Sequence, residues 1–182
     1  MDSSSPSAVS HGTLVNVDGA GVLITGRPGI GKSECALELV SAGHRLVADD
    51  VVEIEPCGAT HVGRAPDRFA GLLEVRGLGI LDVRQLFGEC AFQDAHQIEL
   101  CIEFCCSDEI EPTRCIASDA AAFELLGLKV PKFILPMDGR RNMRLLVETA
   151  VKLFRVDINT AGADLISAHD ELVSRSASTR LR

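Results

Sequence analysis

Short apolar runs, separated by glycine-rich or polar turns, fill most of the chain and predict strands mixed with helices. The clearest strand pattern is the uninterrupted apolar run 21–25. The clearest amphipathic helix is 142–154, with Met143, Leu146, Val147, Ala150 and Phe154 on one face. Strands are predicted over residues 11–17, 21–25, 44–48, 51–54 with a stop at Pro56, 98–104 and 133–135. Helices are predicted over residues 34–42, 82–87 capped by Asp82, 118–126 between Ser118 and Gly127, 142–154 and 163–174.

The two ends of the chain differ from the rest in composition. Residues 1–10 are rich in serine and residues 176–182 are polar, so we expect a disordered tail at the first and a mobile tail at the second. Residues 11–175 are predicted to form one α/β domain, because a chain of 182 residues with 46% apolar residues can bury one sizeable core.

A phosphate-binding motif lies between the strand 21–25 and the helix 34–42. Its sequence G-R-P-G-I-G-K-S consists of Gly26, Arg27, Pro28, Gly29, Ile30, Gly31, Lys32 and Ser33. The glycines allow backbone N–H groups to converge on a phosphate chain, and the helix N-terminus adds partial positive charge. Lys32 has the length to reach terminal phosphates, and the Ser33 hydroxyl suits Mg²⁺. The order strand, loop, helix separates this motif from a chance match and predicts a nucleotide-binding site.

Two adjacent carboxylates, Asp49 and Asp50, follow the apolar strand 44–48 about 20 residues after the loop. A carboxylate at a strand end beside a phosphate loop can hold Mg²⁺ or accept a proton during phosphoryl transfer. Neighbouring residues in an extended chain point to opposite faces, so the two carboxylates are expected to have different roles. The competing interpretation is an ordinary turn after a strand.

The apolar, glycine-rich stretch 72–80 contains Glu74 and Arg76 two positions apart. In an extended segment this spacing puts both side chains on the same side. They could supply a metal-binding carboxylate and a guanidinium for transition-state charge. A surface ion pair is equally compatible with the spacing.

The net charge of −8 argues against broad nucleic-acid binding, which needs a basic footprint. The densest positive cluster consists of Lys129, Lys132, Arg140, Arg141 and Arg144, and it is either a solvated surface or a contact for phosphate or an acidic partner. No apolar run approaches the ~20 residues that span a bilayer, and the N-terminus lacks the features of a secretory signal. We therefore expect a cytoplasmic protein without membrane contact.

The chain contains seven cysteines, an odd number for a disulfide framework. Cys101, Cys105 and Cys106 lie close in sequence, but neither a second cysteine pair nor a nearby histidine completes a zinc pattern. We expect reduced cysteines that pack as small hydrophobic residues rather than metal ligands.

Several sequence blocks together resemble the catalytic domain of bacterial HPr kinase/phosphorylase, which phosphorylates a serine of the phosphocarrier HPr in the sugar phosphotransferase system. The blocks are H-G-T-L-V-N-V, G-V-L-I-T-G-R-P-G-I-G-K-S-E-C-A-L-E-L, G-H-R-L-V-A-D-D, L-L-E-V-R-G-L-G-I-L-D-V and L-F-G. The resemblance covers about nine-tenths of the chain. The block E-V-R-G-L-G-I is specific to this family, whereas the phosphate loop is shared by many nucleotide-binding proteins.

The resemblance implies a P-loop fold similar to the nucleotide domain of phosphoenolpyruvate carboxykinase, ATP and Mg²⁺ as cofactors, HPr as partner, and a hexamer. It also implies a second, phosphorolytic activity that removes the phosphate and releases pyrophosphate. By the same comparison, Lys32 and the loop bind ATP, Ser33 and Glu74 lie near Mg²⁺, and Asp49 exchanges the serine proton. Asp50, His11, Arg76 and Arg141 complete the site.

The sequence departs from the family in four places. One is the loop after Gly88, whose sequence E-C-A-F-Q-D-A-H is unlike the usual pattern. The family's usual N-terminal domain is not represented; the expected G-R-N before the last amphipathic helix reads Arg140-Arg141-Asn142; and a further family arginine falls at Arg114 or at Cys115. Two alternatives to an HPr kinase therefore remain open. One is a kinase of the same fold with another substrate, and the other is a nucleotide-binding regulator with little catalysis.

Overall fold

The computed structural model of the protein describes residues 8–106, 122–137 and 141–156. Its strands are β1 (Ala8–His11), β2 (Thr13–Val17), β3 (Ala20–Gly26), β4 (Arg45–Ala48), β5 (Val51–Cys57), β6 (Thr60–Arg64), β7 (Leu72–Val75), β8 (Gly79–Asp82), β9 (Ala95–Gln97), β10 (Leu100–Cys106), β11 (Ala122–Leu125) and β12 (Leu128–Met137). Its α-helices are α1 (Lys32–Ser41), α2 (Val83–Phe87) and α3 (Met143–Arg155), and short 3₁₀ turns cover Asp67–Phe69 and Glu89–Ala91.

The centre of the fold is a six-stranded mixed sheet in the order β11-β12-β10-β3-β2-β4. β3 pairs in parallel with β10 and antiparallel with β2. Alternate residues of β3 enter different cores: Val22 and Ile24 pack with α1 and α3, whereas Leu23 packs with a second sheet of order β1-β5-β6-β9. β3 is therefore covered on both faces, which explains its uninterrupted apolar sequence.

The predicted α/β class is confirmed, and three helices lie close to their predicted positions. α1 buries Ala36, Leu39 and Val40, and α3 buries Met143, Val147 and Ala150. The Asp82 side chain accepts hydrogen bonds from the backbone N–H groups at the start of α2, as its capping role requires.

Several strand boundaries differ from the predictions. The predicted strand 11–17 is broken at Gly12, where a Cβ would lie 2.7 Å from the Ile24 carbonyl oxygen. β5 continues through Pro56, because β1 pairs only with Val51–Ile54 and the proline lies beyond that pairing. Residues 8–10, which were assigned to the disordered tail, form β1 against β5, so that tail prediction was wrong for them.

The helix predicted over 118–126 was wrong for its described part. Residues 122–125 form β11, which turns through Leu126 and Gly127, both with positive φ, into β12. Gly127 fits the pattern of a helix stop, but a glycine with positive φ also closes a hairpin. The predicted helix 163–174, both predicted tails apart from residues 8–10, and Ser118 lie outside the described residues.

The strand predicted over 133–135 is the middle of the longer β12. Within the described ranges, no helix combines the length and apolarity needed to cross a membrane.

Candidate active site

The G-x-x-x-x-G-K-S loop leaves the C-terminal end of β3 and enters α1, with Gly31 as the residue before the helix. Gly26 has φ 136°, and a Cβ there would lie 2.5 Å from the Phe104 carbonyl oxygen on β10. Gly29 has φ 73°, and a Cβ there would lie 2.8 Å from Arg76 Nη2. A side chain at Gly26 would collide with the neighbouring strand, and the positive φ of Gly29 would strain any residue that carries a Cβ, so the tight loop favours glycine at both positions.

Lys32 begins α1 and is only 7% exposed. Its Nζ atom donates hydrogen bonds to the carbonyl oxygens of Gly26, at 3.0 Å, and Arg27, at 3.3 Å. These bonds turn the lysine side chain back towards the start of the loop, so the ammonium group lies beside Gly26 and Arg27. Arg27 points elsewhere, because its guanidinium contacts the Cys106 sulfur.

Asp49, which is 7% exposed, lies between β4 and β5 and accepts hydrogen bonds from three parts of the chain. The Thr13 hydroxyl donates to Oδ1 at 2.7 Å, the Ser33 hydroxyl lies 3.1 Å from both oxygens, and the Glu74 backbone N–H donates to Oδ2 at 3.2 Å. Burial raises the pKa of Asp49, and these hydrogen bonds oppose that rise by stabilising the charged form. Asp49 is thus joined directly to the last residue of the phosphate loop.

Asp50 differs from Asp49 in both backbone and environment. Its φ is 64°, its side chain is 66% exposed, and its Oδ1 lies 3.2 Å from His11 Nδ1. The pairing of His11 with Val51 across β1 and β5 brings the histidine to this carboxylate. The two carboxylates thus lie in different surroundings, but the chain turns at Asp50 instead of continuing as a strand, and their different roles stay a prediction.

One cavity of about 360 Å³ collects most of the residues that the sequence singled out. It is lined by His11, Pro28, Gly29, Gly31, Lys32, Ser33, Glu34, Asp49, Asp50, Glu74 and Arg76. Glu74 is the exposed residue near the end of β7, and Arg76 is the first residue of the turn that follows. Both side chains line the cavity, and among the described residues no ion pair joins them.

The site differs from the sequence prediction at a few positions. Gly26, Arg27 and Ile30 belong to the loop but do not line the cavity, and Arg141 does not line it either. Arg114 and Cys115 lie outside the described residues. Glu34 lines the cavity but was not predicted; its position in the first turn of α1, directly after the loop, was the available signal.

Two other predicted clusters have structural explanations. Cys101 is fully buried, and burial raises the pKa of its thiol to about 11, in agreement with a small hydrophobic role.

In the basic cluster, Lys132 pairs with Glu103 at 2.7 Å and Arg144 with Glu148 at 2.9 Å. Arg140 lies outside the described residues.

This arrangement defines an α/β protein in which a central strand passes through a glycine-rich loop into a helix, with carboxylates facing that loop. The chain belongs to the HPr Serine kinase C-terminal domain family, whose model matches residues 2–174. The resemblance inferred from its sequence blocks is therefore confirmed.

Individual relatives agree with this assignment. The chain is 44% identical over 146 residues to an HPr kinase/phosphorylase of Caldicellulosiruptor bescii, covering 80% of this chain and 47% of the relative. It is 38% identical over 179 residues to an HPr kinase/phosphorylase of Clostridium botulinum strain Eklund 17B, covering 97% of this chain and 59% of the relative. The chain thus spans about half the length of the curated relatives that it matches.

A solved structure, the Hpr(Ser) kinase/phosphatase from Coxiella burnetii, is similar to this fold with a TM-score of 0.77. The two sequences are 34% identical, and the similarity covers 90% of this chain and 97% of that chain.

Proposed function

We propose that the protein is an ATP- and Mg²⁺-dependent serine kinase that phosphorylates the phosphocarrier HPr and also removes that phosphate by phosphorolysis. The observation that carries the proposal is the cavity of about 360 Å³ in which the phosphate loop faces Asp49, Asp50 and Glu74. The names of the relatives, HPr kinase/phosphorylase, supply the acceptor and the two directions.

The residues of the cavity fit a nucleotide and a hard cation. The loop runs into the N-terminus of a ten-residue helix, and Lys32 needs only to release two carbonyl oxygens to meet a phosphate. The Ser33 hydroxyl and the Glu74 carboxylate are oxygen ligands of the type that Mg²⁺ prefers. Bound Mg²⁺ would neutralise charge on the phosphates. From the same family resemblance, the fold is proposed to be similar to the nucleotide domain of phosphoenolpyruvate carboxykinase.

Asp49 is the proposed group that exchanges a proton with the acceptor serine. In the kinase direction the carboxylate takes the hydroxyl proton while the serine oxygen bonds to the terminal phosphorus of ATP and the bond to ADP breaks. In the phosphorolytic direction an oxygen of inorganic phosphate bonds to the phosphorus of phosphoserine, the bond from that phosphorus to the serine oxygen breaks, and pyrophosphate is formed. The protonated carboxyl gives its proton to the departing serine oxygen. The raised pKa of Asp49 strengthens the carboxylate as a base in the kinase direction and increases the fraction of protonated carboxyl that can act as the acid in the other direction.

The remaining charged groups have proposed supporting roles. Arg76 reaches over the loop to Gly29, where a guanidinium can stabilise charge on a transferring phosphoryl group. Asp50 and His11 form a pair at the open side of the cavity, where the acceptor arrives. Arg141 is proposed to join the site from family resemblance. A hexamer is proposed on the same basis. A cytoplasmic enzyme without nucleic-acid or membrane partners is proposed from the net charge of −8 and from the sequence pattern, which has neither a long apolar run nor a secretory signal.

Transfer of labelled phosphate tests the function directly. The protein is incubated with labelled ATP, Mg²⁺ and HPr, and the modified residue is mapped; an HPr in which that serine is alanine is the matched control. We expect label on one serine of HPr and its loss when inorganic phosphate is added. ATP binding without transfer would favour a regulator, and transfer to another protein alone would favour a kinase with a different acceptor.

A further inference from the structure

The candidate active site continues past its carboxylates into a second cavity of about 160 Å³. This cavity shares Asp49, Asp50 and Glu74 with the first one. Its other walls include an apolar group, Phe69, Leu72 and Ile80, which we call the apolar recess. The volume lies below the roughly 300 Å³ of typical small-molecule pockets and is suited to a single apolar side chain.

The hairpin of β7 and β8 places apolar and catalytic residues on one surface. Leu73 and Val75 of β7 point into the core, so Leu72 and Glu74 point the other way. Ile80 lies directly opposite Glu74 in the antiparallel register. Cross-strand partners share a face of the sheet, and Ile80 is therefore held beside the candidate magnesium ligand.

Two apolar residues of the recess are exposed to solvent instead of being packed in the core. Ile80 is 70% exposed and Phe69 is 40% exposed. The guanidinium of Arg68, another residue of the cavity wall, stacks over the Phe69 ring at 4.7 Å and fixes its orientation. An apolar surface that is ordered and uncovered beside a polar site is typical of a site for a binding partner.

The position of the recess indicates which partner it meets. Lys32 and Ser33 serve the terminal phosphates, and Asp49 separates them from the recess. None of the loop residues 26–33 lines the recess. In-line phosphoryl transfer requires the attacking oxygen to approach from the side opposite the leaving nucleotide. With the phosphates on the loop, the recess on the other side of Asp49 is open to the acceptor.

We infer that the apolar recess binds an apolar side chain of the acceptor polypeptide, close in sequence to the phosphorylated serine, and thereby aligns that serine with Asp49. This inference rests on the proposed kinase function. It adds a determinant of acceptor specificity that uses Phe69, Leu72 and Ile80 and has no part in nucleotide binding.

Kinetics of Ile80→Ser test the inference. We expect its KM for HPr to rise about tenfold, while its Kd for ATP stays at the wild-type value, because the recess contacts only the acceptor. Ile80→Leu should keep the wild-type KM, since it retains the apolar volume. Phe69→Ser is the second variant of the recess and should raise the KM in the same way.

Val156→Ser is the matched control, because Val156 is also 70% exposed. It follows Arg155, which contacts Asp18 at the end of the sheet away from the loop. An unchanged KM in both Ile80→Ser and Phe69→Ser would overturn the inference and leave the kinase function intact. A raised Kd for ATP with an unchanged KM for HPr would also overturn it, because the recess would then serve the nucleotide. If the wild type transfers no phosphate to HPr, the proposed function fails and the inference fails with it.

Discussion

Replacing Asp49 by asparagine removes one negative charge from the most enclosed carboxylate of the candidate active site. The amide can keep much of the local hydrogen bonding. Its oxygen can accept from the Glu74 backbone N–H, and its NH₂ group can donate to the hydroxyls of Thr13 and Ser33, which change from donor to acceptor. The variant should therefore fold, and its defect should be chemical.

The expected loss of rate is about 10²–10⁴-fold, the usual contribution of general acid–base catalysis. This corresponds to about 2.7–5.4 kcal/mol of transition-state free energy. Both directions should suffer, because a group that takes the serine proton in one direction returns it in the other.

The free energy of unfolding should respond differently from the rate. The pKa of Asp49 is raised in the folded state, so its favourable contribution is present below the unfolded pKa of about 3.9 and is lost as pH rises through the folded value. Asparagine does not titrate, so the variant does not lose free energy of unfolding in this way as the pH rises. At neutral pH the variant should unfold at the same temperature as the wild type or higher, and this advantage should disappear in acid.

The assay is turnover of HPr with ATP, and of phospho-HPr with phosphate, alongside thermal unfolding at neutral and acidic pH. Asp50→Asn is the matched control, since Asp50 is 66% exposed and pairs with His11 instead of the loop. Asp50→Asn need not slow the kinase and the phosphorolytic reactions to the same degree. Near-normal rates for Asp49→Asn in either direction would refute the role of Asp49 as the shared acid and base.

The remaining predictions concern the loop, the metal, the pH dependence and the assembly. Lys32→Ala should abolish transfer and weaken ATP binding by about 1.5–3 kcal/mol, the value of a charged hydrogen bond, as calorimetry would measure; an unchanged affinity would argue against the loop as the phosphate site. Ser33→Ala and Glu74→Gln should each raise the Mg²⁺ concentration for half-maximal activity, and wild-type Mg²⁺ curves for both would exclude them as ligands. Thr13→Val removes a hydrogen bond that lowers the pKa of Asp49, so the acidic limb of the pH–rate profile should move to higher pH; a limb that stays in place would mean that a different group titrates. Light scattering should give the mass of a hexamer, and a stable 19.4 kDa species would contradict that expectation.

The sequence predicts those parts of the site that depend on local spacing. The loop between strand 21–25 and helix 34–42 is a continuous motif, so its position and its entry into α1 could be read directly. The carboxylates Asp49 and Asp50 were found because they directly follow an apolar strand.

Contacts between distant parts of the chain could not be predicted in this way. Thr13 and Asp49 are 36 positions apart, and Glu74 and Asp49 are 25 positions apart. No periodic pattern encodes these pairings, because they arise only when β2, β4 and β7 meet around the loop. The error at 122–125 has a different origin. A short segment that is followed within two residues by a glycine satisfies helix and hairpin rules equally well, and pairing with β12 decides between them.

The parallel pairing of β3 with β10 has a consequence for the order of events during synthesis. The strand that carries the loop needs a neighbour that is made much later: the Gly21 N–H bonds to Glu99, 78 positions further along the chain. Gly26 also packs against the Phe104 carbonyl at the end of that later strand. Closing so long a segment is entropically costly and slow. A ribosome-bound chain should therefore gain affinity for nucleotide only after β10 has emerged, long after the loop itself has left the exit tunnel.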